Sequence, residues 1–252
     1  MIHLARWQDR TIIVKKPLKK DQGLSLKELE VFRRIQHPHV LNLLGSIPSK
    51  GWLLLPHMEK GSLKRIIFDR NSEPFPWSQR WQITCDIVSG LQCLHQNGIL
   101  HCDIKPENVL LDKNYHAKLC DFGTVQIADR EDLRKPWGGS LEFWSSEIMP
   151  WARFLPQSEL HPYLPINRNQ ELERDVPPFS EGSDIFALGT LMWEISERSA
   201  ANQQIIYFAG KFRTSDQTPA SFAGWIRRCR SRDSKDRPSA LDLGFQKMWE
   251  VR

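Results

Sequence analysis

The chain has 252 residues, 40% of them hydrophobic and 26% charged, with a formal net charge of +5. That length carries one large domain or two small lobes with a real core, and the balance is that of a soluble globular chain, not of a disordered or fibrous one. The sequence offers no apolar run of the length, about 18 residues, that a membrane span needs, and Met1–Trp7 lacks the apolar core of a signal peptide. The five cysteines, Cys85, Cys93, Cys102, Cys120 and Cys229, are odd in number and form no CxxC. Neither a disulfide framework nor a zinc knuckle is expected, and free thiols in a reducing, cytoplasmic compartment are the default. The basic balance could favour acidic or phosphate-rich partners but says nothing about fold.

Leu4–Trp7 and Thr11–Lys15, separated by Asp9-Arg10, predict strand, turn, strand. Within Ser25–Gln36, Leu29, Phe32 and Ile35 recur at helical spacing, and His37-Pro38 ends the segment. Ser25 and Glu28 fit a capping box, so Glu28 has a local reading that closes the start of its helix. Val40–Leu44 and Trp52–Leu55 predict two more strands around a turn at Pro48–Gly51. Trp77–His95 is the clearest long helix, with Trp81, Thr84, Val88, Leu91 and His95 on one stripe, Ile87 and Leu94 beside it, and Asn97-Gly98 as the stop.

The centre of the chain is His101-Cys102-Asp103-Ile104-Lys105-Pro106-Glu107-Asn108-Val109-Leu110-Leu111, followed by Asp121-Phe122-Gly123. Val109–Leu111 and Ala117–Leu119 are short apolar runs broken by Asp112-Lys113-Asn114, which predicts a small hairpin. A hairpin would carry the flanking polar side chains to one common edge. Two acidic or amide oxygens there could hold a hard cation like Mg²⁺, and a further carboxylate beside them could orient a hydroxyl.

From Ile148 to Gly182 the chain is rich in proline, with Trp151, Phe154 and Tyr163 among them, and predicts either a surface excursion packed on the fold or a docking surface. Ser183–Ile195 is apolar all round and predicts a buried helix, with Asp184 beside Ser183 fit to cap it. Ala220–Cys229 and Ala240–Trp249 predict closing helices. The basic run Arg227–Arg232 predicts a solvated helix face before it predicts contact with nucleic acid.

The central stretch resembles the catalytic loop and metal-binding motif of eukaryotic-type protein kinases, H-R-D-L-x-x-x-x-N and D-F-G, in order and spacing. The resemblance covers nearly the whole chain. It implies an α+β, bilobal protein-kinase-like fold in a single domain over 1–252: a small β-rich lobe with one helix over 1–55, a hinge at 56–60, and a larger helical lobe over 61–252 with a proline-rich insertion near 148–182. It implies ATP and Mg²⁺ as cofactors and a protein substrate. Asp103 would take or orient the substrate hydroxyl and Lys105 would neutralise the γ-phosphate; Asn108 and Asp121 would hold Mg²⁺. Lys15 would grip the ATP phosphates and pair with Glu28, and Ile13, Leu55, Met58 and Leu110 would line the adenine site. Phe32 would pack in a column with His101 and Phe122. The family's glutamate and arginine pair falls on Glu147 and Arg237, and Asp184 would hold the catalytic-loop backbone. Lys105 and Gly139-Ser140 follow the serine/threonine rather than the tyrosine pattern.

Three departures bear on activity. No glycine-rich phosphate loop precedes Thr11–Lys15, so either residues upstream supply that strand and lid or the protein lacks them. Ile13 stands where the family has alanine. Cys102 replaces the arginine that reads an activation-segment phosphate, so phosphorylation there is not expected to be the main switch. A serine/threonine kinase is the leading expectation, a pseudokinase scaffold or allosteric partner the alternative, and an acidic-ligand or nucleic-acid binder the remote one.

Overall fold

A computed structural model describes residues 1–17, 22–69, 74–130, 139–149, 179–201 and 213–243, and only the backbone of 22–26. The chain divides into two compact units, one of residues 1–66, 73–101 and 106–134, the other of residues 67–72, 102–105 and 135–252.

The first unit opens on an antiparallel hairpin, β1 (Ile2–Trp7) and β2 (Arg10–Lys15), with Ile2 opposite Lys15 and Trp7 opposite Arg10. Gln8 and Asp9 form its turn with φ of 47° and 61°, the left-handed pair that matches the twist of a two-residue hairpin. β2 buries Ile12 and Val14 and pairs with β4 (Trp52–Pro56), which buries Leu53 and Leu55. β3 (Gly45–Ile47) completes a sheet of order β1-β2-β4-β3. The strand expected at Val40–Leu44 is therefore displaced toward the C-terminus. Val40 and Leu41 are buried, Val40 bridges Leu119, and Leu41 N–H donates to Leu119 O, so this stretch gives its backbone to another partner.

Helix α1 (Gln22–Arg34) starts before Ser25, which removes the capping-box reading of Glu28. It buries Lys27, Glu28 and Val31, while Leu29 and Phe32 of the expected stripe are partly buried. A short helix, α2 (Leu63–Phe68), divides its residues between the units. Helix α3 (Trp77–Gln96) spans the expected segment, and its buried surface, with Ile83, Ile87, Leu91 and Leu94, is wider than one stripe. Gly98, at φ 66°, ends it and leads into β6 (Ile99–Leu100), which pairs with β9 (Gln126–Ile127). The expected hairpin is present as β7 (Val109–Leu111) and β8 (Ala117–Leu119), with β5 (Gly61–Ser62) on the far side of β7.

The second unit is built on α4 (Glu181–Glu197), buried almost end to end as its all-round apolarity predicts. Its cap is Ser180, whose Oγ accepts from Ser183 N–H while Ser183 Oγ accepts from Ser180 N–H, so the local reading of Asp184 as a cap gives way to Ser180. Helix α5 (Ala220–Cys229) packs against α4 and buries Phe222, Ala223, Ile226 and Cys229. Ala240–Leu243 form a turn, and the rest of the predicted closing helix lies outside the described residues, as does most of the stretch 148–182. The small sheets and several helices are the α+β class expected. Among the described residues no helix is long and apolar enough to cross a membrane.

Candidate active site

In the first unit, β2 ends at Lys15 and sends its ammonium between two carboxylates. Nζ lies 2.6 Å from Glu28 Oε1 on α1 and 2.8 Å from Asp121 Oδ1 after β8. Glu28 is deeply buried, with 4% of its side chain exposed, whereas Asp121 is half exposed at 51%. Burial works against the Lys15 ammonium, but the charges of Glu28 and Asp121 outweigh it and its pKa is raised. Burial likewise pushes the Glu28 carboxyl up, and Lys15 offsets this only in part. The partners differ because Lys15 answers to two anions, whereas Glu28 is the more deeply buried and shares its one lysine.

An apolar cluster lies in the same unit. Leu41, Leu53, Leu55, Met58 and Cys120 are buried together, and Ile13, Leu29, Phe32, Leu43 and Leu110 pack against them. The four residues expected to line an adenine site, Ile13, Leu55, Met58 and Leu110, are thus brought together. Cys120, next to Asp121 in the chain, is buried in the same cluster. Phe32 meets Phe122 edge to face at 5.5 Å between ring centroids, and Phe122 meets His101 at 5.7 Å. That column fixes the residue next to Asp121, whose φ of 63° is one a non-glycine residue rarely takes. Across the hairpin, Cys120 N–H donates to Asn108 O at 2.9 Å, so Asn108 and Asp121 leave the same open end of β7 and β8.

In the second unit, Lys105 Nζ lies 2.7 Å from Asp103 Oδ2 and donates to Ser140 Oγ at 2.8 Å. Ser140 Oγ donates in turn to Asp103 Oδ1 at 3.1 Å. The carboxylate is held by a cation on one oxygen and a hydroxyl on the other, with Asp103 7% exposed. Just before it, Cys102 sits at φ 63°, and its N–H donates to Asp184 Oδ1 at 2.8 Å. Gly139, at φ 98°, brings its Cα so close to Cys102 O that a Cβ there would lie 2.5 Å from that oxygen. The sequence pointed to Ser140 by its hydroxyl; it carried no signal for the backbone demand at Gly139. Cys102 and Asp121 both take a left-handed backbone without being glycine, a local cost that the surrounding structure must sustain.

Chemically, one unit presents a lysine shared by two carboxylates beside an apolar cluster, a combination suited to a phosphate chain carrying an aromatic base. The other presents a carboxylate, lysine and hydroxyl suited to steering a proton. The family model described as "Protein kinase domain" matches residues 5–249. U-box domain-containing protein 34 of Arabidopsis thaliana is 38% identical over 158 residues, 58% of this chain and 20% of that protein. Putative L-type lectin-domain containing receptor kinase V.2 of the same plant is 34% identical over 176 residues, 68% of this chain and 23% of that protein. Putative U-box domain-containing protein 53 is 41% identical over 150 residues, 54% and 18% of the two chains. The chain thus spans between 18% and 23% of the length of these relatives.

Proposed function

The chain belongs to the protein kinase domain family, and from that membership we propose that it is a serine/threonine kinase transferring the γ-phosphate of ATP to protein hydroxyls with Mg²⁺. The observation that carries this reading is the placement of Lys15 between Glu28 and Asp121. In the reaction, the substrate hydroxyl oxygen bonds to the γ-phosphorus, the bond to the β–γ bridging oxygen breaks, and ADP leaves. Asp103 receives the hydroxyl proton. Lys105 supplies positive charge to the transferring group, and Ser140 keeps the Asp103 carboxylate oriented. Lys15 holds the phosphate chain, while Ile13, Leu55, Met58 and Leu110 flank the base. Asn108 and Asp121 fit Mg²⁺ by donor chemistry, one carboxamide and one half-exposed carboxylate. The ion, when bound, neutralises charge on the phosphate oxygens. Lys105 bonded to both Ser140 and Asp103 supports hydroxyls of serine and threonine as acceptors.

The same proposal takes residues 1–252 as a single kinase domain with divisions at 1–55, 56–60 and 61–252, acting on protein substrates in the cytoplasm. Relatives whose names carry "receptor kinase" support the kinase side of this reading. A pseudokinase is the second reading. It is favoured by Ile13, which packs against the apolar cluster with a larger side chain than alanine, and by Cys102 in place of arginine.

Transfer of labelled γ-phosphate from ATP to a generic protein substrate and to the chain itself, with Mg²⁺, decides between the two. Loss of transfer in both Asp103→Asn and Asp121→Ala supports the kinase. Transfer no higher than in those variants overturns it. An ATP-induced rise in melting temperature then tests whether the pocket still fills, since occupancy at 100 times Kd adds about 2.7 kcal/mol.

A further inference from the structure

The closed end of the β7–β8 hairpin is gripped by a buried carboxylate that none of the proposed chemistry uses. Asp86, on α3 and 3% exposed, accepts from Gln82 Nε2 at 2.7 Å and from Ala117 N–H at 2.8 Å. Two imidazoles flank it: His39 Nε2 is 3.6 Å from Oδ1, and His116 Nδ1 is 3.3 Å from Oδ2. The backbone of His39 is pinned on both sides. Its carbonyl accepts from Leu119 N–H, and α3 approaches that carbonyl so closely that a Cβ at Gly90 would lie 2.4 Å from it.

Hydrogen bonding fixes the tautomers. His39 Nδ1 faces Ala117 O at 3.0 Å, and a carbonyl only accepts, so Nδ1 carries the hydrogen. In the neutral ring Nε2 then turns a lone pair toward Asp86. His37 is wired the opposite way. Its Nδ1 accepts from His39 N–H at 3.2 Å, which puts its hydrogen on Nε2, facing Ser89 Oγ at 3.4 Å. Protonating His37 would break the first of these bonds. Burial, then His39 and Lys118, hold the pKa of His37 below the ordinary imidazole value.

We propose that His39 and Asp86 form a proton-operated clip: a second proton on His39 turns Nε2 into a donor to Asp86 Oδ1 and tightens the hairpin turn onto α3, while His37 stays neutral. His37 lies in the same loop, 5.6 Å away between ring centroids, and His116 is at the hairpin turn, 6.5 Å away. Lys118 on β8 donates to Pro38 O, and Asp112 accepts from His116 N–H.

The test follows ring ¹⁵N shifts of the labelled 252-residue chain from pH 8 to pH 5, with amide exchange at Ala117. His39→Asn is the companion variant, because the asparagine amide can keep the bond to Ala117 O while removing the nitrogen that faces Asp86. The expected result is that His39 becomes doubly protonated before His37. The protection factor at the Ala117 amide then rises at least about threefold on acidification in the wild type and stays level in the variant. Protonation of His37 first, or parallel protection profiles in the two proteins, overturns the proposal. The order of protonation in the wild type decides alone if the variant fails to fold.

Discussion

Arg237 and Glu147, 90 residues apart in the chain, are joined by two hydrogen bonds, Nη1 to Oε1 at 2.6 Å and Nη2 to Oε2 at 2.8 Å. The guanidinium side chain has 0% exposure and the carboxylate 29%. Arg237 also donates to Gly182 O and Ser231 O. The pair ties the end of the 139–149 segment to the loop before the C-terminal turn.

Replacing the carboxylate by a neutral amide leaves a buried cation without its counterion, held by backbone carbonyls and the Phe186 ring. Glu147→Gln is expected to lose about 3 kcal/mol in chemical denaturation at pH 7. Burial pushes the Glu147 carboxyl up, but the hydrogen bonds from Arg237 win and its pKa is lowered from the ordinary 4.5. A depressed carboxyl stabilises the fold above its unfolded pKa, and that contribution is lost as pH falls through the folded one. The gap between wild type and Glu147→Gln should therefore narrow below about pH 4.5. An equal gap at pH 7 and pH 3.5 would refute the assignment.

Lys15→Met separates chemistry from stability. Under the proposed function, kcat/KM should fall at least about 100-fold, or 2.7 kcal/mol. The raised pKa of Glu28 means its contribution to folding is most favourable below the unfolded value of 4.5 and declines as pH rises through the folded one. Removing the lysine that opposes this rise steepens the decline. Urea unfolding at pH 4.5 and pH 7.5 should show a larger drop for Lys15→Met than for wild type; parallel drops would contradict the burial argument.

Gly139→Ala puts a Cβ 2.5 Å from Cys102 O in a residue at φ 98°. Backbone strain and the forced displacement should cost about 1–3 kcal/mol. The same shift would move Ser140 away from Asp103 and Lys105. Transfer should therefore drop more than stability alone explains, measured below the melting transition. Full activity in a folded Gly139→Ala protein would show that Ser140 does not position the carboxylate.

Phosphomimetic substitution of Thr124, Ser140, Ser145 or Ser146 should raise transfer less than tenfold, which is about 1.4 kcal/mol. Cys102 offers no guanidinium fork for a phosphate. Three of the hydroxyls are already committed, Thr124 to His101 O, Ser140 to Asp103 and Ser146 to Arg232 O, and Ser145 is fully buried. A tenfold gain in any of the four would overturn this.

The residues that carry charge in tight sequence patterns were legible before the structure. Lys15 closes a β-branched strand, Asp103 and Asn108 sit in one loop, and both strands of the β7–β8 hairpin are written as apolar runs around turn residues. The all-round apolarity of α4 announced burial, because a helix with no polar face has nowhere else to go. What the sequence hid was pairing between distant backbones. Val40 and Leu41 read as strand by composition, yet their partner is Leu119 on β8 and not a strand of the β1-β2-β4-β3 sheet, a choice set by tertiary packing rather than propensity. Asp86 was invisible for a related reason. A lone carboxylate among apolar residues of α3 looks like a solvated face until Ala117, His39 and His116 converge on it. Glu28 could be read either as a helix cap or as a partner for Lys15, and the earlier start of α1 removes the first.

Counted as charge, the group around Lys15 holds one cation for two anions. The two anions are not equivalent. Glu28, at 4% exposure, has no access to solvent ions and must keep its lysine; Asp121, at 51%, can exchange it. Lys15 is thus a permanent counterion for one carboxylate and a replaceable one for the other. A competing cation in solution would be felt first at Asp121, where it can enter without stranding a buried charge.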